Sequence, residues 1–145
     1  MSDELILRSP ATGMHVSTEH HGHQLMLQAL ADIWTERRRQ IDDKGYAPDD
    51  DDRYHRAELA SAAASFVVLE IVDRTRTDGW RQVLEGISRD LWPWRLDGRN
   101  ETYDDRRKLI VAGALIIAEI ERLDRQAARL RDQDDPNQNT EDFVR

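Results

Sequence analysis

The stretch 105–124, DRRKLIVAGALIIAEIERLD, constrains this chain more than any other. Its middle, residues 109–120, is apolar on every side of a helical wheel, and a helix that is apolar all round is a buried one. The run is too short to cross a membrane, and Arg106, Arg107, Lys108, Glu119 and Glu121 flank or interrupt it. Ala112, Gly113, Ala114 and Ala118 are small, so neighbouring helices can approach closely. The rest of the chain must then supply two or more helices with apolar faces. One residue breaks the pattern. Glu119 shares a wheel face with Ala112, Leu115, Ile116 and Leu123, where a carboxylate is costly unless it is paired or has a task. It is expected either to bridge to a core-facing arginine or to be a site carboxylate.

The other helices can be read in chain order. Residues 1–20 contain Pro10 and Gly13, show no clear period, and are expected to form a mobile arm or a docking segment. His20, His21 and His23 follow without spaced carboxylates and read as a solvated helix start. A first helix is expected over 24–42, with Leu27, Leu30, Ile33, Trp34, Arg37 and Ile41 at three- and four-residue steps. Arg37 lies on that stripe, so its stem can pack inward while its head seeks an acid. Gly45 stops the helix, and 45–52, GYAPDDDD, reads as a loop whose aspartates cap the next helix. The second helix is expected over 53–73, and its run Ala60, Ala62, Ala63, Ala64 offers a shallow groove for the central helix. Trp80, Val83, Leu84 and Ile87 mark a short amphipathic helix ending near Ser88. Pro93 and Gly98 make 90–100 a loop. Thr102 with Asp105 resembles a capping box for the central helix. The polar, proline-containing segment 131–145 reads as a disordered tail. The expected fold is therefore all-α: about four helices around a buried central one, a single domain over 21–130.

Composition narrows the function. Charged residues are 34 % and aromatics 6 % of the 145 residues, and no alternating strand pattern is present. The net charge of −8, from 21 basic and 29 acidic residues, disfavours nucleic acid as a partner but allows a local basic pocket for a small phosphorylated ligand. There is no cysteine, hence no thiolate chemistry. No signal peptide or transmembrane run is present, so a cytoplasmic protein with no membrane partner is expected. Walker, dinucleotide, GxSxG and HExxH patterns are all missing.

What remains is a set of charges and aromatics at helix ends. Arg37, Arg38 and Arg39 either serve the helix dipole or wall a pocket holding phosphate or carboxylate. His55 and Glu58 open the second helix. Tyr46 lies beside the aspartates, and Arg106 and Arg107 open the central helix. Trp92 and Trp94 flank Pro93 and either cover one end of the core or stack on a planar ligand such as a nucleobase. With Glu119 these form the candidate ligand site. Asp49, Asp50, Asp51 and Asp52 are weaker candidates for holding Mg²⁺ or Ca²⁺, since their spacing is not that of an EF-hand.

The pattern ERRRQ at 36–40, GY at 45–46, the acidic run, ELASAAA at 58–64, WPW at 92–94 and DRRKLIVAGALIIAEIERLDR at 105–125 resembles a family of small phage and prophage proteins, over roughly 33–125. More distantly, the ERxRQ element and the Ala-rich closing helix are similar to phage MazG-like proteins. That second resemblance implies an all-α, oligomeric protein hydrolysing nucleoside triphosphates to monophosphate and pyrophosphate, with Mg²⁺ held by ExxE and ExxD elements. This chain departs from it: no ExxE precedes the central helices, although Glu70 with Asp73 and Glu121 with Asp124 fit ExxD. Three functions follow as expectations. The first is a non-catalytic, phage-encoded binder of a nucleotide-like molecule, such as a host immune signal, acting as an anti-defence sponge in the host cytoplasm. The second is the Mg²⁺-dependent pyrophosphohydrolase. The third is an acidic inhibitor of a host protein. A homo-oligomer is expected in each, because the central helix is apolar on more faces than two partners cover.

Overall fold

The structure, a computed structural model, describes the backbone of residues 12–95, 99 and 102–134, and within these the side chains from residue 21 onward. The expected arm as far as residue 11 and the tail beyond 134 lie outside the described residues, whereas residues 12–20 and 131–134, expected to belong to arm and tail, are helical, in the first and last helices. The fold class is as expected: among the described residues every regular element is a helix. They are α1 (Thr12–Asp42), α2 (Pro48–Asp51), α3 (Glu58–Arg74), α4 (Asp78–Leu91) and α5 (Asp105–Asp134). No helix is long and apolar enough to cross a membrane, among the residues searched.

The chain divides within α1 into two units, Met1–Asp32 and Ile33–Arg145. In the first, Leu25, Met26, Leu27 and Leu30 are exposed, and Gln28 Nε2 donates to Asp32 at 2.8 Å. The stripe expected to face a core on the first helix is thus solvent-facing at these positions. In the second unit Trp34 is exposed as well, whereas Arg37 is buried.

The second unit holds the core. α3 packs on both α5 and α4, and α2 lies on α5. From α3 the core takes Leu59, Ala62, Ala63, Phe66 and Leu69; from α5 it takes Val111, Ala112, Leu115 and Ala118. The alanines on both helices keep the backbones close, while Phe66 and the leucines supply the apolar area, about 1.5–3 kcal/mol for each large side chain removed from water. Lys108 is buried at the start of α5 and pairs with Asp73 of α3. Ser65 and Ser88 join α3 to α4: each hydroxyl donates to the other's carbonyl, at 2.7 and 3.1 Å.

Four expectations need correction. Residues 109–120 are not enclosed on all sides: Ile110, Val111, Ala112, Ala114, Leu115 and Ala118 are buried, but Leu109, Ile116 and Ile120 face solvent. A wheel without polar residues shows that burial is tolerable, not that the described chain has enough partners to provide it. The acidic run is not a loop, because Pro48 starts the turn of α2, where proline's fixed φ suits a first helical position. α3 begins at Glu58 rather than 53, after Ala57 at φ +60, a left-handed conformation that interrupts helix propagation. Finally, α5 is capped by Asp104, whose carboxylate accepts the Arg107 N–H at 2.7 Å, two residues on from the expected Thr102 and Asp105 pair.

At Gly113, α5 comes close to Ile33 of α1. A Cβ there would lie 3.0 Å from Ile33 Cδ1 and 3.1 Å from Ile33 Cγ1. Ile33 can shift slightly for a methyl group, and helix propensity favours alanine over glycine by about 1 kcal/mol. Gly113→Ala is therefore expected to be close to neutral in urea unfolding. Gly113→Leu is expected to destabilise by about 1–3 kcal/mol through overpacking.

Candidate functional site

The last turns of α1 carry two adjacent buried charges, Glu36 at 2 % and Arg37 at 1 % exposure. Successive residues on a helix point about 100° apart, so the two reach different partners. Arg37 Nη2 donates to Asp51 Oδ2 at 2.8 Å and to Glu121 Oε2 at 2.6 Å, and its Nε donates to the same Glu121 oxygen at 3.1 Å. Glu36 accepts both nitrogens of the Arg39 fork at 2.8 Å, the Gln40 amide at 3.3 Å, and the Arg107 guanidinium. The ERRRQ stretch thereby ties α1 to α2 and α5. α2 is short, but it turns Asp51 inward to Arg37 and leaves Asp52 for Arg125, at 3.0 Å, and Arg129. Arg125 also donates to the Pro48 carbonyl at 2.8 Å, which fastens α2 on α5.

Beside this network lies a cavity of about 470 Å³, within the range of small-molecule sites. Its lining includes the aromatic rings of Tyr46, Tyr54, Phe66, Trp92, Trp94 and Tyr103 and the charged groups of Glu36, Arg37, Arg39, Lys44, Asp50 and Asp51. The rings brace one another. Trp92 and Trp94 meet edge-to-face at 5.1 Å, Tyr54 meets Trp94 at 5.4 Å, and Phe66 meets Trp92 at 5.6 Å. Trp92 Nε1 donates to the Arg95 carbonyl at 2.9 Å, fixing the indole beyond the end of α4. Arg107 stands over the Tyr103 ring, 5.4 Å from its centroid.

Two carboxylates of the lining differ electrically. Burial alone would raise the Glu36 pKa, but the hydrogen bonds from Arg39 and Arg107 outweigh it and hold the group below the usual glutamate range. At Asp51 burial wins over the Arg37 contact and pushes the pKa up. Burial, and then the Asp51 charge, also raise the Tyr54 phenol.

Of the residues singled out in the sequence, Arg37, Arg39, Tyr46, Asp50, Asp51, Trp92 and Trp94 line the cavity. Arg107 acts on it through Glu36 and Tyr103. The others lie elsewhere. Arg38 is exposed and pairs with Asp42 at 2.9 Å, His55 and Arg106 are exposed, and Glu58 accepts the Arg56 N–H at 2.7 Å. Glu119 forms the salt bridge that was one of its two expected roles, with buried Arg122 at 2.9 Å. The aspartate run is divided among arginines: Asp50 with Arg53, Asp51 with Arg37, and Asp52 with Arg125 and Arg129. Among the described residues no three histidine, aspartate or glutamate side chains gather as metal ligands. Sequence reasoning missed Glu36, Lys44, Tyr54, Phe66 and Tyr103 as cavity residues. Glu36 was legible in principle: it lies three residues after Ile33 and four before Gln40, on one side of α1.

No protein-family model, curated protein or solved structure matches this chain.

Because the folded Glu36 pKa is lowered, its ion pairs stabilise the protein above the ordinary glutamate range, and that contribution is lost as pH falls through the folded value. Glu36→Gln is expected to cost about 2 kcal/mol near neutral pH. The variant should also lose less stability than the parent as pH falls from about 5 to about 2. Denaturant melts from neutral pH down through that range read both effects.

Proposed function

We propose that this chain binds a small, planar, phosphate-bearing molecule of the nucleotide class in the aromatic cavity and does not turn it over. The observation that carries this reading is an aromatic lining beside the side chains of Arg39 and Lys44 around a space of about 470 Å³. Tryptophan and tyrosine faces suit a nucleobase, since stacking contributes about 1–3 kcal/mol per base. Lys44, exposed, and Arg39, partly exposed, can meet phosphate.

Binding without turnover is favoured by how the carboxylates are spent. Metal-assisted hydrolysis needs several of them converging on one or two ions. At this cavity Glu36, Asp50 and Asp51 are each engaged by guanidinium groups. Together with the phage-type sequence pattern, this supports a phage protein that sequesters a signalling nucleotide in the host cytoplasm.

Calorimetry with nucleoside mono- and triphosphates and cyclic dinucleotides tests the reading. At least one is expected to bind and to raise the melting temperature by several degrees. Lys44→Ala and Tyr46→Ala should each weaken that binding about tenfold with little change in the unliganded melt, because both side chains are exposed. No heat and no melting shift across the panel would overturn the proposal. Pyrophosphate release from a triphosphate with Mg²⁺ would instead favour the hydrolase.

A further inference from the structure

The exposed face of α5 carries a pattern that neither the core nor the cavity uses. Leu109, Ile116, Leu123 and Leu130 recur at seven-residue intervals, and Gly113, Ile120 and Ala127 recur three residues before the last three of them. That is an uninterrupted a/d heptad seam, with Leu and Ile at every d position and Gly, Ile and Ala at a. The five large residues of the seam are 43–55 % exposed, although the helix's other apolar face is buried. Among the described residues, Ile33 covers the seam at Gly113.

From this seam we infer that α5 pairs with α5 of a second copy of this chain, antiparallel, in a register centred between Ile120 and Leu123. Size and charge on the seam select that arrangement. In it Ile120 meets the partner's Leu123, Ile116 meets the partner's Ala127, and Leu130 reaches the partner's Ile33 where it covers Gly113. Each small residue faces a large one. A parallel pair would set Ala127 against Ala127 and Gly113 against Gly113, with the two Ile33 side chains in conflict. The flanking positions agree. Parallel pairing sets Glu119 beside the partner's Asp124, a like-charge contact made twice. The antiparallel register sets Glu119 beside the partner's Gln126, and Asp124 beside the partner's Ile117. The occupant that matches this face is therefore another α5 rather than an unrelated helix.

Sedimentation of the full chain in the micromolar range is expected to give twice the 16.9 kDa chain mass. Ile116→Glu combined with Leu123→Glu should give 16.9 kDa with unchanged helical circular dichroism, because both side chains are exposed within one chain. Orientation is read by cross-linking, since the chain has no cysteine of its own. Ile116→Cys mixed with Ala127→Cys should form a disulfide-linked pair, and Ala127→Cys alone should not. A parent that sediments at 16.9 kDa throughout would overturn the inference. So would a dimer indifferent to the double glutamate variant, or efficient cross-linking of Ala127→Cys by itself.

Discussion

The buried guanidinium of Arg37 is the contact on which the second unit depends. It joins α1 to α2 and α5 by holding a carboxylate from each of the latter two. A buried ion pair adds little net stability over an apolar equivalent, but separating the partners costs about 3–5 kcal/mol. The penalty therefore falls on any arrangement that moves α2 away from α1. Glu36, one residue earlier, binds Arg39 and Arg107 and extends the same constraint to the first turn of α5. Two neighbouring residues thus replace the apolar packing that the end of α1 lacks.

The cavity lies beside this arrangement, and its lining joins the paired charges to Leu59, Val111, Leu115 and Ala118 of the core. The aromatic lining comes from another part of the chain, the Trp-Pro-Trp turn after α4 together with Tyr54 and Tyr103. Edge-to-face contacts join Trp92 to Trp94 and Trp94 to Tyr54, and these rings pack against the core formed by α3 and α5.

Much of the architecture was legible in the sequence, for identifiable reasons. The absence of period-two patterning and the long apolar run before Glu119 pointed to helices, and α3, α4 and α5 lie near their expected spans. Arg37 on an apolar stripe announced a buried cation in need of an acid, and Asp51 and Glu121 are that acid. Other features were hidden because they depend on tertiary context. Four consecutive aspartates look alike in sequence; only the turn of α2 sends Asp51 inward and Asp52 to Arg125. Tyr54 and Tyr103 stand alone in polar segments, so no local pattern linked them to Trp92 and Trp94. The exposed side of α5 was misjudged because a helical wheel reports polarity and not the number of neighbours. Leu109, Ile116 and Ile120 lack neighbours enough to bury them in the described chain.

The account's central claim is that Arg37 and Asp51 act as a unit. A double-mutant cycle of Arg37→Met and Asp51→Asn, read by urea unfolding near neutral pH, measures this directly. The account predicts a coupling energy of about 1.5–3 kcal/mol, the double variant being less damaged than the sum of the single ones. Additive effects, with coupling near zero, would contradict it.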